Sequence, residues 1–198
     1  MSAQTPEKTT MSIRVLETNY IRSLTFMPSV RMGDYMWNNQ TSGIVKLNVD
    51  ASFHADTLSG ASEAVERDDK GEVIAATNWF ILHIRYADVV ELLVITNGIY
   101  LLSSIGCTKA KVESNCSFAL ECLKLLENYM GPHSAVMAEC KQLSIDFAKL
   151  SFGHCFREAN QVADELAKQR FRPRSSGSWD SSVLDFISHL LVNDVTII

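Results

Sequence analysis

The chain has 198 residues, 46% of them hydrophobic and 21% charged, which suits one domain with a substantial buried core and ordinary tails. Its formal net charge of −5 excludes a protein drawn to nucleic acid by an overall basic field, so any such binding must rest on a local site. The longest apolar run, residues 89–105, is broken by Glu91, Asn97 and Gly98, which argues against a membrane span, and the polar opening MSAQTPEKTT carries no secretory signal.

In chain order, residues 1–43 show no clear period and end in the turn-forming WNNQTSG, so they read as a tail or linker. IVKLNVDASF (44–53) alternates apolar and polar side chains and predicts a strand. Residues 60–82 predict two further strands joined at the turn DDKG, giving three consecutive antiparallel strands. Residues 88–106 are long enough for a helix, with Asp88-x-x-Glu91 as a capping box at its start and Gly106 as its stop. TKAKVES (108–114) predicts a fourth strand, and residues 115–131 a helix ended by Gly131.

Val136, Cys140, Leu143 and Phe147 recur at steps of four, three and four, the face of a helix over 134–150. KLSFGHCF (149–156) predicts a fifth strand, and residues 160–171 a helix capped by Asn160. The segment 172–198 reads as a linker followed by a short amphipathic helix at 183–191. Strands fed by hairpins and followed by helical crossovers predict an α/β domain over 44–171, with a mixed five-stranded sheet flanked by helices. The five cysteines (107, 116, 122, 140 and 155) form no CxxC pair and are odd in number, which predicts reduced thiols in cytoplasm or nucleus.

Polar residues collect where strands hand over to helices. Asp50, Asn115 and Asp164 each have a plain local explanation as a turn former, an N-cap or a first-turn acid, and Glu91 as part of a capping box. Parallel neighbours would nevertheless bring Asp50 and residue 115 together at one sheet edge, with Glu91 alongside. Carboxylates gathered without Lys or Arg repel one another unless a hard divalent cation lies between them.

KLNVDASF, RDDKGEVIAA, VESNC and FREANQVADELAKQ, in that order, resemble the plant-type ribonuclease H-like domain associated with retrotransposon reverse transcriptases. The resemblance covers about residues 37–171, and the segment SWDSSVLDFISHLLVNDV is similar to one that often follows the domain. It implies a ribonuclease H-like fold, an RNA/DNA hybrid as partner and hydrolysis of the RNA strand with two Mg²⁺ (or Mn²⁺) ions. By the same resemblance Asp50, Glu91 and Asp164 are metal-holding acids. His154 stands where the family carries a histidine that assists proton transfer or product release.

The third acid is missing: where the family reads VESD this chain reads VESN, so Asn115 offers a carbonyl oxygen without charge. At ~4 Å and an effective dielectric of ~20, a pair of unit charges is worth about 4 kcal/mol, so metal binding and hydrolysis are expected to be weakened. Glu113 lies two residues earlier, about 6–7 Å along the strand, and does not replace it. The alternative function is a non-catalytic module, derived from a retroelement, that binds nucleic acid or protein. Ser52, Ser114 and Asn160 lie near the expected nucleic-acid edge, although turn and cap roles explain them as well. A further departure is GASEAVERD in the second strand, where Glu63 and Glu66 place charge on a stretch the family keeps apolar.

Overall fold

The alternating residues of IVKLNVDASF form the central strand of the domain, because both neighbouring positions in the sheet are taken by other strands. The structure, a computed structural model, describes residues 40–124, 133–160, 162 and 176–180. Strands β1 (Val45–His54), β2 (Ser59–Arg67) and β3 (Val73–Leu82) lead to helix α1 (Ala87–Ser104). Strand β4 (Lys109–Ser114), helices α2 (Ser117–Lys124) and α3 (Ser134–Ser144) and strand β5 (Lys149–His154) follow. A short 3-10 turn (Arg157–Asn160) and strand β6 (Gly177–Asp180) complete the described elements.

The sheet order is β5-β4-β1-β2-β3-β6. β1 is antiparallel to β2 and parallel to β4, and β4 is parallel to β5, so the sheet is mixed as the element order predicts. The sixth strand corrects the expected five. β6 lies in the segment read as a linker, where four residues including Gly177 and Ser178 carry too little strand preference to be recognised. It pairs antiparallel with Ala75–Asn78, and the Ser176 hydroxyl accepts the Phe80 N–H at 2.9 Å. The sheet therefore draws on residues beyond 171, and the edge of β3 is covered rather than left as a row of unpaired backbone groups.

Helix α1 has 18 residues and is apolar and long enough by composition to cross a bilayer, yet its apolar side chains are used inside the fold. Leu92, Val94, Ile95, Ile99 and Leu102 are buried and pack in one cluster with Leu47 and Val49 of β1 and Val112 of β4. Gly106, with φ of +72°, closes the helix as expected: its N–H reaches Ser103 O and the Cys107 N–H reaches Leu102 O. The expected capping box at the other end does not form. Tyr86 is the N-cap residue with no side-chain bond to the helix, and the Asp88 carboxylate is shared between the Val89 N–H and His133.

α3 ends at Ser144, short of the expected residue 150, so Phe147 reaches the core from the connection to β5. Residues 125–131 of the expected second helix, residues 161 and 163–171 of the last one, and the expected tail helix at 183–191 lie outside the described residues.

Gly98 sets the distance between helix and sheet. A Cβ at this position would lie 2.6 Å from Leu47 Cδ2 and 3.3 Å from Val49 Cγ1, both on fully buried side chains. Gly98→Val is expected to destabilise the domain by about 2–3 kcal/mol through overpacking, read as a lower urea midpoint at unchanged slope.

Candidate active site

Seating α1 on β1 through Gly98 places Glu91, two helical turns earlier, beside Asp50. Asp50 is buried on β1, where one of its carboxylate oxygens accepts the Ala51 N–H at 3.0 Å. Burial first, and the charge of Asp50 second, push the Glu91 carboxyl up to about 8. Its Oε2 is buried without a hydrogen-bond partner. A carboxylate in this state needs either a proton or a cation.

Asn115 follows directly on the neighbouring strand β4 at the matching height. Val49 is in register with Ser114, so Asp50 and Asn115 are the next positions along two adjacent parallel strands. Strand and helix thus bring together three of the four residues expected to form a metal site, whereas Asp164 lies outside the described residues. Asn115 is not the immediate helix cap it was expected to be. α2 starts at Ser117, with Cys116 ahead of it, and the Cys116 N–H is received by the Ser114 hydroxyl at 3.0 Å.

Glu113 does not make up the missing charge. Its two oxygens are held by Lys46 at 2.9 Å and Lys111 at 2.7 Å. Lys46 is 2% exposed, and burial lowers its pKa against the opposing pull of Glu113. Removing either member would strand a buried charge, so this pair is committed to the fold. Glu63 lies directly across from Asp50 in the β1–β2 register and is fully buried, as is Glu66. β2 is buried along its whole length, so the two departures from an apolar strand bring carboxyl groups into the interior rather than onto a surface.

The residues expected at a nucleic-acid edge divide. Ser114 and Asn160 are buried and engaged in the fold, in keeping with the turn and cap roles that the sequence also allows. The Asn160 amide donates to Val49 O at 2.8 Å and ties the 3-10 turn to β1 one residue before Asp50. Its reach of 111 residues explains why it read only as a local cap. Ser52 is partly exposed, with its hydroxyl oxygen buried and unpartnered. His154 is exposed at the end of β5, in register with Ser114, and its ring meets Phe156 edge-on at 5.4 Å. It stands one strand beyond Asn115, on the same side of the sheet end.

A family model described as reverse transcriptase-like matches residues 48–170, which takes in the Asp50, Glu91 and Asn115 positions. The chain belongs to the reverse transcriptase-like family. The fold of this domain is that of ribonuclease H. RNase H1 from the halophilic archaeon Halobacterium salinarum NRC-1 superposes with a TM-score of 0.60 at 16% identity, covering 65% of this chain and 98% of that one. The N-terminal RNase H domain of Rv2228c from Mycobacterium tuberculosis does so with a TM-score of 0.60 at 18% identity, covering 66% and 94%. LC11-RNase H1, solved in complex with an RNA/DNA hybrid, gives 0.59 at 18% identity, covering 65% and 97%. No curated protein sequence matches the chain.

The side chains at the sheet end fit a hard divalent cation in kind. They offer carboxylate and amide oxygens, one of them buried and unpartnered, and the charge of Asp50 adds to burial in raising the Glu91 carboxyl. Among the described residues no group of three His, Cys, Asp or Glu side chains is arranged to hold a metal. The candidate site among the described residues is therefore two acids and an amide.

Proposed function

We propose that this is a ribonuclease H-type domain that binds RNA/DNA hybrid at the Asp50 end of the sheet and hydrolyses it weakly, in a divalent-metal-dependent manner. The observation that carries this reading is the pairing of Asp50 with Glu91, whose buried carboxyl is raised to about 8 beside a second acid. Strongly perturbed carboxyl groups of this kind cluster at functional sites.

Asp50, Glu91 and Asn115 would hold the metal, with Asp164 as a fourth ligand by family resemblance. Bound Mg²⁺ or Mn²⁺ supplies an activated water and stabilises charge on the leaving 3′ oxygen. Asp50 and Glu91 would hold the cation against the reacting phosphate, and Ser52 lies two residues further along β1, on the same side of the strand as Asp50. His154, exposed at the neighbouring strand end, can take up or return a proton. Asn115 would orient without contributing charge, so slow turnover is expected.

A second reading, a binding module without catalysis, is favoured by the Lys46–Glu113–Lys111 network, which leaves no spare carboxylate on β4 to stand in for Asn115.

Cleavage of a labelled RNA/DNA hybrid in Mn²⁺, with hybrid binding followed by anisotropy, separates the two. Slow cleavage is expected, falling at least about a hundredfold in Asp50→Asn while hybrid binding stays within a few-fold. Cleavage unchanged in Asp50→Asn would remove the metal site from this position. Binding without any cleavage would favour the module.

A further inference from the structure

The first turn of α1 has no side-chain cap of its own, since Tyr86 makes no side-chain bond to it. Asp88, in that turn, accepts the Val89 N–H at 3.1 Å with one oxygen and meets His133 Nε2 at 2.8 Å with the other. His133 is 5% exposed and immediately precedes α3, its carbonyl accepting the Met137 N–H at 3.1 Å. Its ring also packs edge-on against Phe118 of α2, with centroids 6.1 Å apart. One imidazole therefore joins the amino ends of three helices. Glu91 follows Asp88 by three residues, which puts the two side chains on the same stretch of helix surface.

We infer that His133 is a positioning residue for Glu91: by holding Asp88 it fixes the first turn of α1 and so the place of the Glu91 carboxyl beside Asp50. This rests on the metal-site reading proposed above. Asp88 released from His133 would be a mobile like charge one turn from Glu91, free to repel it or to compete for the cation. Held as it is, Asp88 directs its charge toward α3, and the acid acting on Glu91 is Asp50. Side chains behind a metal site act in this way on the ligands they orient.

The test compares Mn²⁺ affinity by calorimetry in the parent, His133→Ala, His133→Gln and Asp88→Asn, with amide hydrogen exchange over residues 89–92 and urea melts run in parallel. His133→Ala is expected to weaken Mn²⁺ binding about three- to tenfold and to speed exchange in that turn. In His133→Gln the side-chain amide can still donate to Asp88, and both quantities should return to within about twofold of the parent. Lower stability with unchanged affinity and unchanged exchange in His133→Ala would make the contact a clasp between helices only and overturn the inference. Failure of His133→Gln to rescue a weakened His133→Ala would overturn it as well. If the parent binds no Mn²⁺, the metal reading itself falls. The exchange data then decide whether His133 orders the turn: faster exchange supports that role and unchanged exchange removes it. Should His133→Ala not fold, Asp88→Asn carries the same comparison from the other side of the bond.

Discussion

Asn115→Asp is expected to tighten Mn²⁺ binding by about two to three orders of magnitude and to raise hybrid cleavage by at least as much. The substitution changes one side-chain group and almost no volume, so the effect is electrostatic. A unit charge at ~4 Å from a divalent ion in a site of effective dielectric ~20 is worth roughly 8 kcal/mol before solvation is counted, and about half of that surviving gives the stated range. The metal-free variant should move the other way. A third acid beside Asp50 and Glu91 adds repulsion to a pair in which Glu91 is already raised to about 8, so apo stability should fall by about 1–2 kcal/mol. Added Mn²⁺ should then restore it, by about 2.7 kcal/mol at a hundred times the dissociation constant. Calorimetry, hybrid cleavage and thermal melts with and without Mn²⁺ read the three quantities. A variant whose melting point ignores Mn²⁺ and which cleaves no faster than the parent would show that more than Asn115 separates this chain from an active hydrolase.

Positions set by local pattern are legible in the sequence. Asp50 lies in an alternating strand, Glu91 near the start of an apolar helix and Asn115 just after a strand, so period and turn chemistry give their positions while the family resemblance gives their expected roles. Parallel pairing of the first and fourth strands follows from the same order. What the sequence could not reveal lies in long-range contacts. His133 meets Asp88 across 45 residues, and Asn160 meets Val49 across 111. The local capping box read at Asp88 loses to the His133 contact, and the Asn160 amide N–H is committed to a buried backbone carbonyl. Lys46 is an ordinary polar position in an alternating strand until Glu113 is found opposite, where it becomes a buried charge. β6 is hidden for a different reason: its strand character comes from the open edge of β3 and not from its own residues.

Glu66→Leu is expected to stabilise the domain, and by an amount that depends on pH. Glu66 is fully buried with both carboxylate oxygens unpartnered, and burial pushes its carboxyl up to about 8 from an ordinary 4.5. The folded chain therefore holds a proton that the unfolded chain releases above about pH 4.5. A raised folded pKa gives stability that is complete below the unfolded value and is lost as pH rises through the folded one. Neutral pH lies about 2.5 above the unfolded value, and at about 1.4 kcal/mol for each pH step the loss there is roughly 3 kcal/mol. By about pH 9 it levels off near 5 kcal/mol. A leucine at this position would remove that loss and add apolar contact at the register position beside Leu47 and Ala75. The gain over the parent should be about 3 kcal/mol or more at pH 7, larger at pH 9, and should shrink toward the packing contribution alone near pH 5. Glu91 pulls in the same direction in both proteins, so part of the parent's slope remains in the variant. Adding Mn²⁺ should remove part of that remainder, because a cation at Glu91 favours the charged carboxylate, and should leave the Glu66 contribution untouched. Urea unfolding at about pH 5, 7 and 9, with and without Mn²⁺, distinguishes the two carboxyl groups; a gain in Glu66→Leu that does not vary with pH would mean that Glu66 is ionised in the folded chain.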